Sequence, residues 1–171
     1  MSHEEETIER TLVLLKPDAL DRGLVGEITQ RFEKVGLKIV GMKMLIPSHD
    51  HAQKHYTEDL AIRRGEHVRN LMVDMLISGP IVALVLEGIE AVELVRKMIG
   101  GTEPKSAAPG TIRGDYSHVS FKHTDKHNSK LYNLIHGSSS VEEAAQEIAV
   151  WFDDTELVDH HPTYTKNTLN K

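Results

Sequence analysis

Two short runs of the chain are apolar almost throughout and have β-character. The first lies within residues 10–16, Arg10-Thr11-Leu12-Val13-Leu14-Leu15-Lys16, and is ended by Pro17-Asp18. The second, Ile81-Val82-Ala83-Leu84-Val85-Leu86-Glu87, follows the turn Ser78-Gly79-Pro80. A strand without a polar face is usually buried on both sides, so both runs are predicted to be central strands of one sheet. Residues 37–46 alternate instead, which predicts a half-exposed strand. A fourth strand is predicted to end at His136, in Asn133-Leu134-Ile135-His136-Gly137.

Between the strands the period changes to that of a helix. In residues 24–35 the positions Leu24, Val25, Ile28, Phe32 and Val35 form one stripe, closed by Gly36. Residues 49–60 predict one short helix carrying Tyr56, started by Pro47-Ser48. Residues 65–77 predict another, with Val68, Leu71, Met72, Met75 and Leu76 as a face that reads as core. Gly88 precedes a helix over 89–99, with Arg96 near its C-terminal end. The last helix, from Val141 to Val150, has Ser140 as N-cap and Glu143 three residues on, a capping box. Residues 100–115 read as an irregular loop, and 116–132 as a polar, histidine-rich interruption.

This order of elements predicts an α+β ferredoxin-like sandwich. Its four-stranded antiparallel sheet is covered by helices, with the first and third strands adjacent at the centre. Residues 1–9 form a polar lead, 10–152 the folded domain and 153–171 an acidic, then polar, tail. No internal repeat is present.

Composition narrows the class. At 171 residues, 39% hydrophobic and 27% charged, the chain suits one soluble domain. No apolar run approaches the roughly 18 residues of a membrane span. The absence of cysteine excludes disulfides, thiolate metal sites and a cysteine nucleophile. With no signal-peptide pattern at the N-terminus, cytoplasmic residence is expected. A net charge of -6 argues against general nucleic-acid binding, and one Trp and three Phe offer no stacking platform for single strands.

The candidate chemistry sits at His136. A strand end just before a helix N-terminus favours an anion, and Gly137 is expected to clear space for a substrate. A neutral imidazole there is a competent nucleophile. Glu147, two turns into the helix, is placed to orient one ring nitrogen. A buried histidine satisfied by a backbone carbonyl is the competing reading. Lys16, at the end of the first strand, reads either as solvated rim or as a phosphate or sugar contact.

The segments Leu15-Lys16-Pro17-Asp18, His55-Tyr56, Ser78-Gly79-Pro80, Glu87-Gly88, Gly110-Thr111-Ile112-Arg113-Gly114-Asp115 and Asn133-Leu134-Ile135-His136-Gly137-Ser138 occur in that order. Together they resemble the nucleoside diphosphate kinase family over about residues 10–152. The resemblance implies that His136 is phosphorylated, that Glu147 orients its ring, and that Ser138 is bonded to that carboxylate. It implies that Lys16 and Asn133 hold ribose hydroxyls and phosphates, and that Arg96, Thr102 and Arg113 clamp phosphate. Tyr56 would place its hydroxyl beside Lys16 and His136. The implied activity is ping-pong transfer of the γ-phosphate, mainly of ATP, to nucleoside diphosphates. Mg²⁺ would be carried by the nucleotide phosphates and water, and the chain would form hexamers or tetramers. A catalytically weak nucleotide-binding module of the same fold is the alternative, and a structural subunit docking through the insertion a third.

Three positions depart from the family pattern. Ser139 stands where an aspartate is usual. The base-stacking phenylalanine falls near Val68, which would make a thinner clamp, with Met72 as the opposite wall. The insertion within 116–132 carries His118, His123 and His127, and is expected to be a solvated lid or oligomer contact rather than a metal site. His51 and His55 share a helix face and read as structural.

Overall fold

The computed structural model describes residues 7–169. In chain order the elements are β1 (Ile8–Leu15), α1 (Pro17–Asp21), α2 (Val25–Lys34), β2 (Lys38–Leu45), α3 (His49–His55), α4 (Glu58–Arg64), α5 (Glu66–Leu76), β3 (Ile81–Ile89), α6 (Ala91–Ile99), α7 (Ile112–Tyr116), α8 (Phe121–His127), β4 (Ile135–Gly137), α9 (Val141–Trp151) and α10 (Thr165–Thr168). The strands form one antiparallel sheet in the order β2-β3-β1-β4. The ferredoxin-like arrangement is therefore as predicted, with the two apolar runs side by side at its centre.

β1 pairs with β3 from Ile8 opposite Ile89 to Leu15 opposite Val82. Their side chains alternate between two cores. Val13, Leu15, Val82, Leu84 and Leu86 pack with Ile28 and Phe32 of α2 and with Ala91, Val95 and Ile99 of α6. Leu12, Leu14, Ile81, Ala83 and Val85 pack with Ala52 of α3, Val73 and Leu76 of α5 and Trp151 of α9. Full burial of each Leu or Ile contributes about 1.5–3 kcal/mol, which only a central strand can collect on both faces.

In β4, Gly137 lies opposite Val13, His136 opposite Leu14 and Ile135 opposite Leu15. Cross-strand partners share a face, so His136 points with Leu14 towards α3 and α9. Gly137 faces α6, where a Cβ would lie 2.7 Å from Ile99 Cδ1. The glycine thus lets α6 close on β4, which corrects its expected role of clearing space for a substrate.

Other expectations change in detail. Residues 49–60 are two helices, α3 and α4, broken at Tyr56 (ψ 82°) with Thr57 capping the second. Val35 is 49% exposed because α2 ends at Lys34, and Gly36 follows with φ +90°. The helix predicted over 89–99 starts later: β3 runs through Gly88 to Ile89, and Glu90, with φ +46°, is the N-cap of α6. Residues 111–115 are not irregular, since Thr111 caps α7 by accepting the Gly114 N–H. The insertion contains α8, capped by Ser120.

The tail packs on the outer edge of β2. Val158 N–H donates to Val40 O at 2.7 Å, at the bulge where β2 slips register between Ile39 and Gly41. Phe152 and Leu157 cover Gly41. Lys38, buried beneath, pairs with Glu87 at 2.5 Å and with Asp159 at 3.2 Å. No helix among the described residues is long and apolar enough to cross a membrane.

Candidate active site

β4 is entered through a costly backbone turn. Leu134 has φ +70°, and Ile135 N–H donates to Asn133 O at 2.8 Å, which closes a three-residue γ-turn. Both amide groups of Leu134 are held from the junction of β1 and α1. Asp18 Oδ2 accepts its N–H at 2.9 Å, and its carbonyl accepts Lys16 N–H at 2.8 Å. Arg113 braces the turn from the other side. Its Nη2 donates to Ile135 O at 2.6 Å, Nε to Asn133 O at 3.2 Å and Nη1 to Gly100 O at 3.1 Å. Residues far apart in sequence thus fix the backbone that carries Asn133 and His136.

The His136 Nε2 lies 2.8 Å from Glu147 Oε1 and 3.0 Å from Oε2. An ionised carboxylate only accepts, so Nε2 carries the proton and Nδ1 keeps its lone pair. No partner reaches Nδ1 among the described residues. Ser138 Oγ donates to Glu147 Oε2 at 2.5 Å and accepts Leu12 N–H at 3.3 Å, tying the carboxylate to the central strand. Burial raises the Glu147 pKa, opposed by His55 and by the Ser138 hydrogen bond. Desolvation, and then the charges of Lys16, Arg113 and Arg96, push His136 down to about 3. The ring is thus neutral at physiological pH, and its side chain is 21% exposed. That combination suits a nucleophile.

Cations line the same rim. Lys16 is buried and its Nζ donates to Asn133 Oδ1 at 2.7 Å, so the rim reading of this lysine is wrong. Desolvation and Arg113 lower its pKa to about 7, against the pull of Asp18. Asn133 Nδ2 in turn donates to Thr102 O at 2.9 Å. Burial lowers Arg113 to about 10, still charged at neutral pH. The side chain of Arg96, exposed on α6, has no hydrogen bond or ion pair among the described residues, yet its charge acts on both His136 and Arg113. Tyr56 is buried with an unpartnered hydroxyl, and burial raises its pKa. A half-buried neutral imidazole backed by a carboxylate and close to three cationic side chains suits attack on a phosphoryl group.

Residues 9–157 match the profile of the family described as Nucleoside diphosphate kinase. The chain belongs to that family. The nucleoside diphosphate kinase of Borreliella burgdorferi is 44% identical over 154 residues, covering 90% of this chain and 92% of that protein. The Pyrococcus furiosus enzyme of the same name is 48% identical over 153 residues, covering 90% and 88%. Among solved structures, a transition state mimic of the Borrelia burgdorferi kinase with bound vanadate and ADP superposes with a TM-score of 0.93. It is 41% identical and covers 95% of this chain and 98% of that one. The Halobacterium salinarum kinase in complex with CDP gives a TM-score of 0.80 at 40% identity, covering 94% and 97%.

The remaining residues that the nucleoside diphosphate kinase resemblance pointed to lie on α5 and the insertion. Val68 is 37% exposed and Met72 half-buried; neither joins the cluster around His136. The insertion bridges two elements. Phe121 N–H donates to Glu103 Oε1 at 2.9 Å, while Lys130 Nζ donates to Asp74 O at 3.1 Å and Asn128 Oδ1 lies 2.8 Å from His67 Nε2. His123 and His127 touch at 4.5 Å between ring centroids, but His118, His123 and His127 form no group able to share an ion. The only His and carboxylate trio close enough, among the described residues, is His55, His136 and Glu147. Ser139 uses its hydroxyl and N–H on Glu143 Oε2. Sequence reasoning gave no role to Asp18 or Trp151 and read His55 as structural only. The placement of Asp18 beside Lys16, and of His55 beside Tyr56, was the available signal.

Proposed function

We propose that the chain passes the terminal phosphoryl group of a nucleoside triphosphate, mainly ATP, to nucleoside diphosphates through a phosphohistidine at His136. Nδ1 attacks the γ-phosphorus, the bond to the β–γ bridging oxygen breaks, and the nucleoside diphosphate leaves. A second nucleoside diphosphate then attacks the phosphohistidine and restores the free ring. The observation that carries this reading is the unpartnered Nδ1 of a ring whose Nε2 is held by Glu147, beside Lys16 and Arg113. Glu147, held by Ser138, keeps the ring in one tautomer and stabilises the positive charge it gains. Lys16, Arg96 and Arg113 answer the charge on the phosphoryl oxygens. Asn133, Thr102 and Tyr56 complete the sugar and phosphate contacts, and Val68 and Met72 flank the base.

The residues present fit Mg²⁺ brought in by the substrate. The rim offers cations, and its carboxylates are engaged, Glu147 by His136 and Ser138 and Asp18 by Leu134. Mg²⁺ commonly keeps its waters and binds through substrate phosphates rather than in an all-protein cage. When bound, it would neutralise phosphate charge. We also propose a cytoplasmic homo-oligomer, hexamer or tetramer. Met42, Met44 and Ile46 are 54%, 66% and 71% exposed along one face of β2, an apolar strip suited to a second copy.

Incubation with ATP and Mg²⁺ should leave acid-labile phosphate on the protein, and His136→Asn should take up none. Phosphate on the His136→Asn variant would show that the nucleophile lies elsewhere.

A further inference from the structure

We infer that Trp151 and His55 are positioning residues that reserve the Glu147 carboxylate for His136. The inference rests on the reading of His136 as nucleophile. The side chain of His55 is fully buried at the end of α3, and its Nδ1 lies 3.5 Å from Glu147 Oε1. Its ring meets the His136 ring edge-on at 4.4 Å between centroids, with an interplanar angle of 88°. Two imidazoles therefore face one carboxylate, and only one of them faces solvent.

Trp151 decides between them. Its indole Nε1–H is a donor only, and it reaches His55 Nδ1 at 3.3 Å. His55 Nδ1 must then accept, so its proton sits on Nε2, which is buried without a partner. The other tautomer, with the proton on Nδ1, would point a donor at Glu147 and draw the carboxylate away from His136. It would also set two N–H groups, of Trp151 and His55, against each other. Protonation of both nitrogens would have the same effect, and it is opposed by burial and by His136 and Lys16, with only Glu147 favouring it. Tyr56 closes the remaining side at 4.7 Å between ring centroids, and His51 stacks on Trp151 at 5.6 Å. A fully satisfied His55 would compete with the nucleophile for its orienting group; the orphaned Nε2–H is the consequence of preventing that.

The test uses epistasis. Trp151→Phe frees His55 to donate to Glu147, and rapid-quench phosphorylation of the protein by saturating ATP-Mg should slow about tenfold. Adding His55→Phe removes the competitor, and the double variant should return to within about threefold of the unmutated chain. A double variant as slow as Trp151→Phe, or slower, overturns the inference, because a merely structural indole gives that result. A second measurement needs no variant. Imidazole ¹⁵N spectra of the unmutated protein should show His55 protonated at Nε2 and bare at Nδ1; the opposite tautomer overturns the inference even if Trp151→Phe fails to fold. Phosphate uptake by the unmutated chain tests the nucleophile separately.

Discussion

At one end of the proposed site, Lys16, Asn133, Arg113, His136 and Glu147 are buried or half-buried, and each is held by a partner from another segment. At the other end, the α5 wall meets the insertion through a few exposed polar contacts, with an exposed valine and a half-buried methionine as its apolar groups. On the proposed reading the first end holds a phosphoryl group in one geometry, because in-line transfer depends on placement. If the second end flanks the base, as proposed, it can tolerate replacement of its side chains, since thin packing adds affinity without setting the reaction coordinate. The contrast implies that substitutions at the His136 end reduce turnover, while those near α5 alter nucleotide affinity.

The largest effect should come from Arg113→Ala. It removes a cation, two donors to the backbone around Leu134 and a third to Gly100 O, so kcat/KM should fall about 10²–10³-fold, with a measurable loss of Tm. A variant that keeps its kcat/KM would erase the difference between the two ends. Next in size is the pH dependence. Lys16 is protonated below about 7 and loses its charge as pH rises through that value. In the free enzyme kcat/KM should therefore decline on the alkaline side. kcat should hold better, because bound phosphate favours the ammonium. On the acid side, the raised pKa of Glu147 places the other limb above the ordinary carboxylate range. Steady-state profiles of both constants would check this, and an alkaline limb equal in kcat and kcat/KM would contradict the role given to Lys16. The smallest effect is at the far wall. Val68→Phe should tighten nucleoside diphosphate binding about threefold to tenfold in a titration, through added stacking, with kcat unchanged. No gain in affinity would mean that Val68 does not flank the base.

The central strands were legible because β1 and β3 lack a polar face, a pattern that few other placements satisfy. The pairing of His136 with Glu147 was legible because a helix start, marked by Ser140 and Glu143, fixes their spacing, whereas the bond from Ser138 to Glu147 was implied only by the family resemblance. Short or interrupted elements were not. The break at Tyr56 follows from its backbone angle, which no periodicity marks. The five residues of α7 are too few for a hydrophobic stripe, and the requirement for Gly114 is tertiary: a Cβ there would lie 2.1 Å from Ala108 O. The left-handed turn at Leu134 is likewise invisible in a leucine, since it is imposed by Asp18, Lys16 and Arg113 from outside. His55 reads like any helix-face histidine until Trp151, 96 positions later, is seen donating to it.

The clasp between Val158 and Val40 also bears on how the protein should be handled. β2 is an edge strand, and an uncovered edge can recruit the strands of other molecules. A shortened version ending at Phe152 would leave the Val40 carbonyl bare and strip Leu157 from Gly41. It would also deprive the buried ammonium of Lys38 of its Asp159 partner. Such a truncation invites precipitation even with the catalytic rim intact, so the last stretch of chain serves as a guard on the sheet.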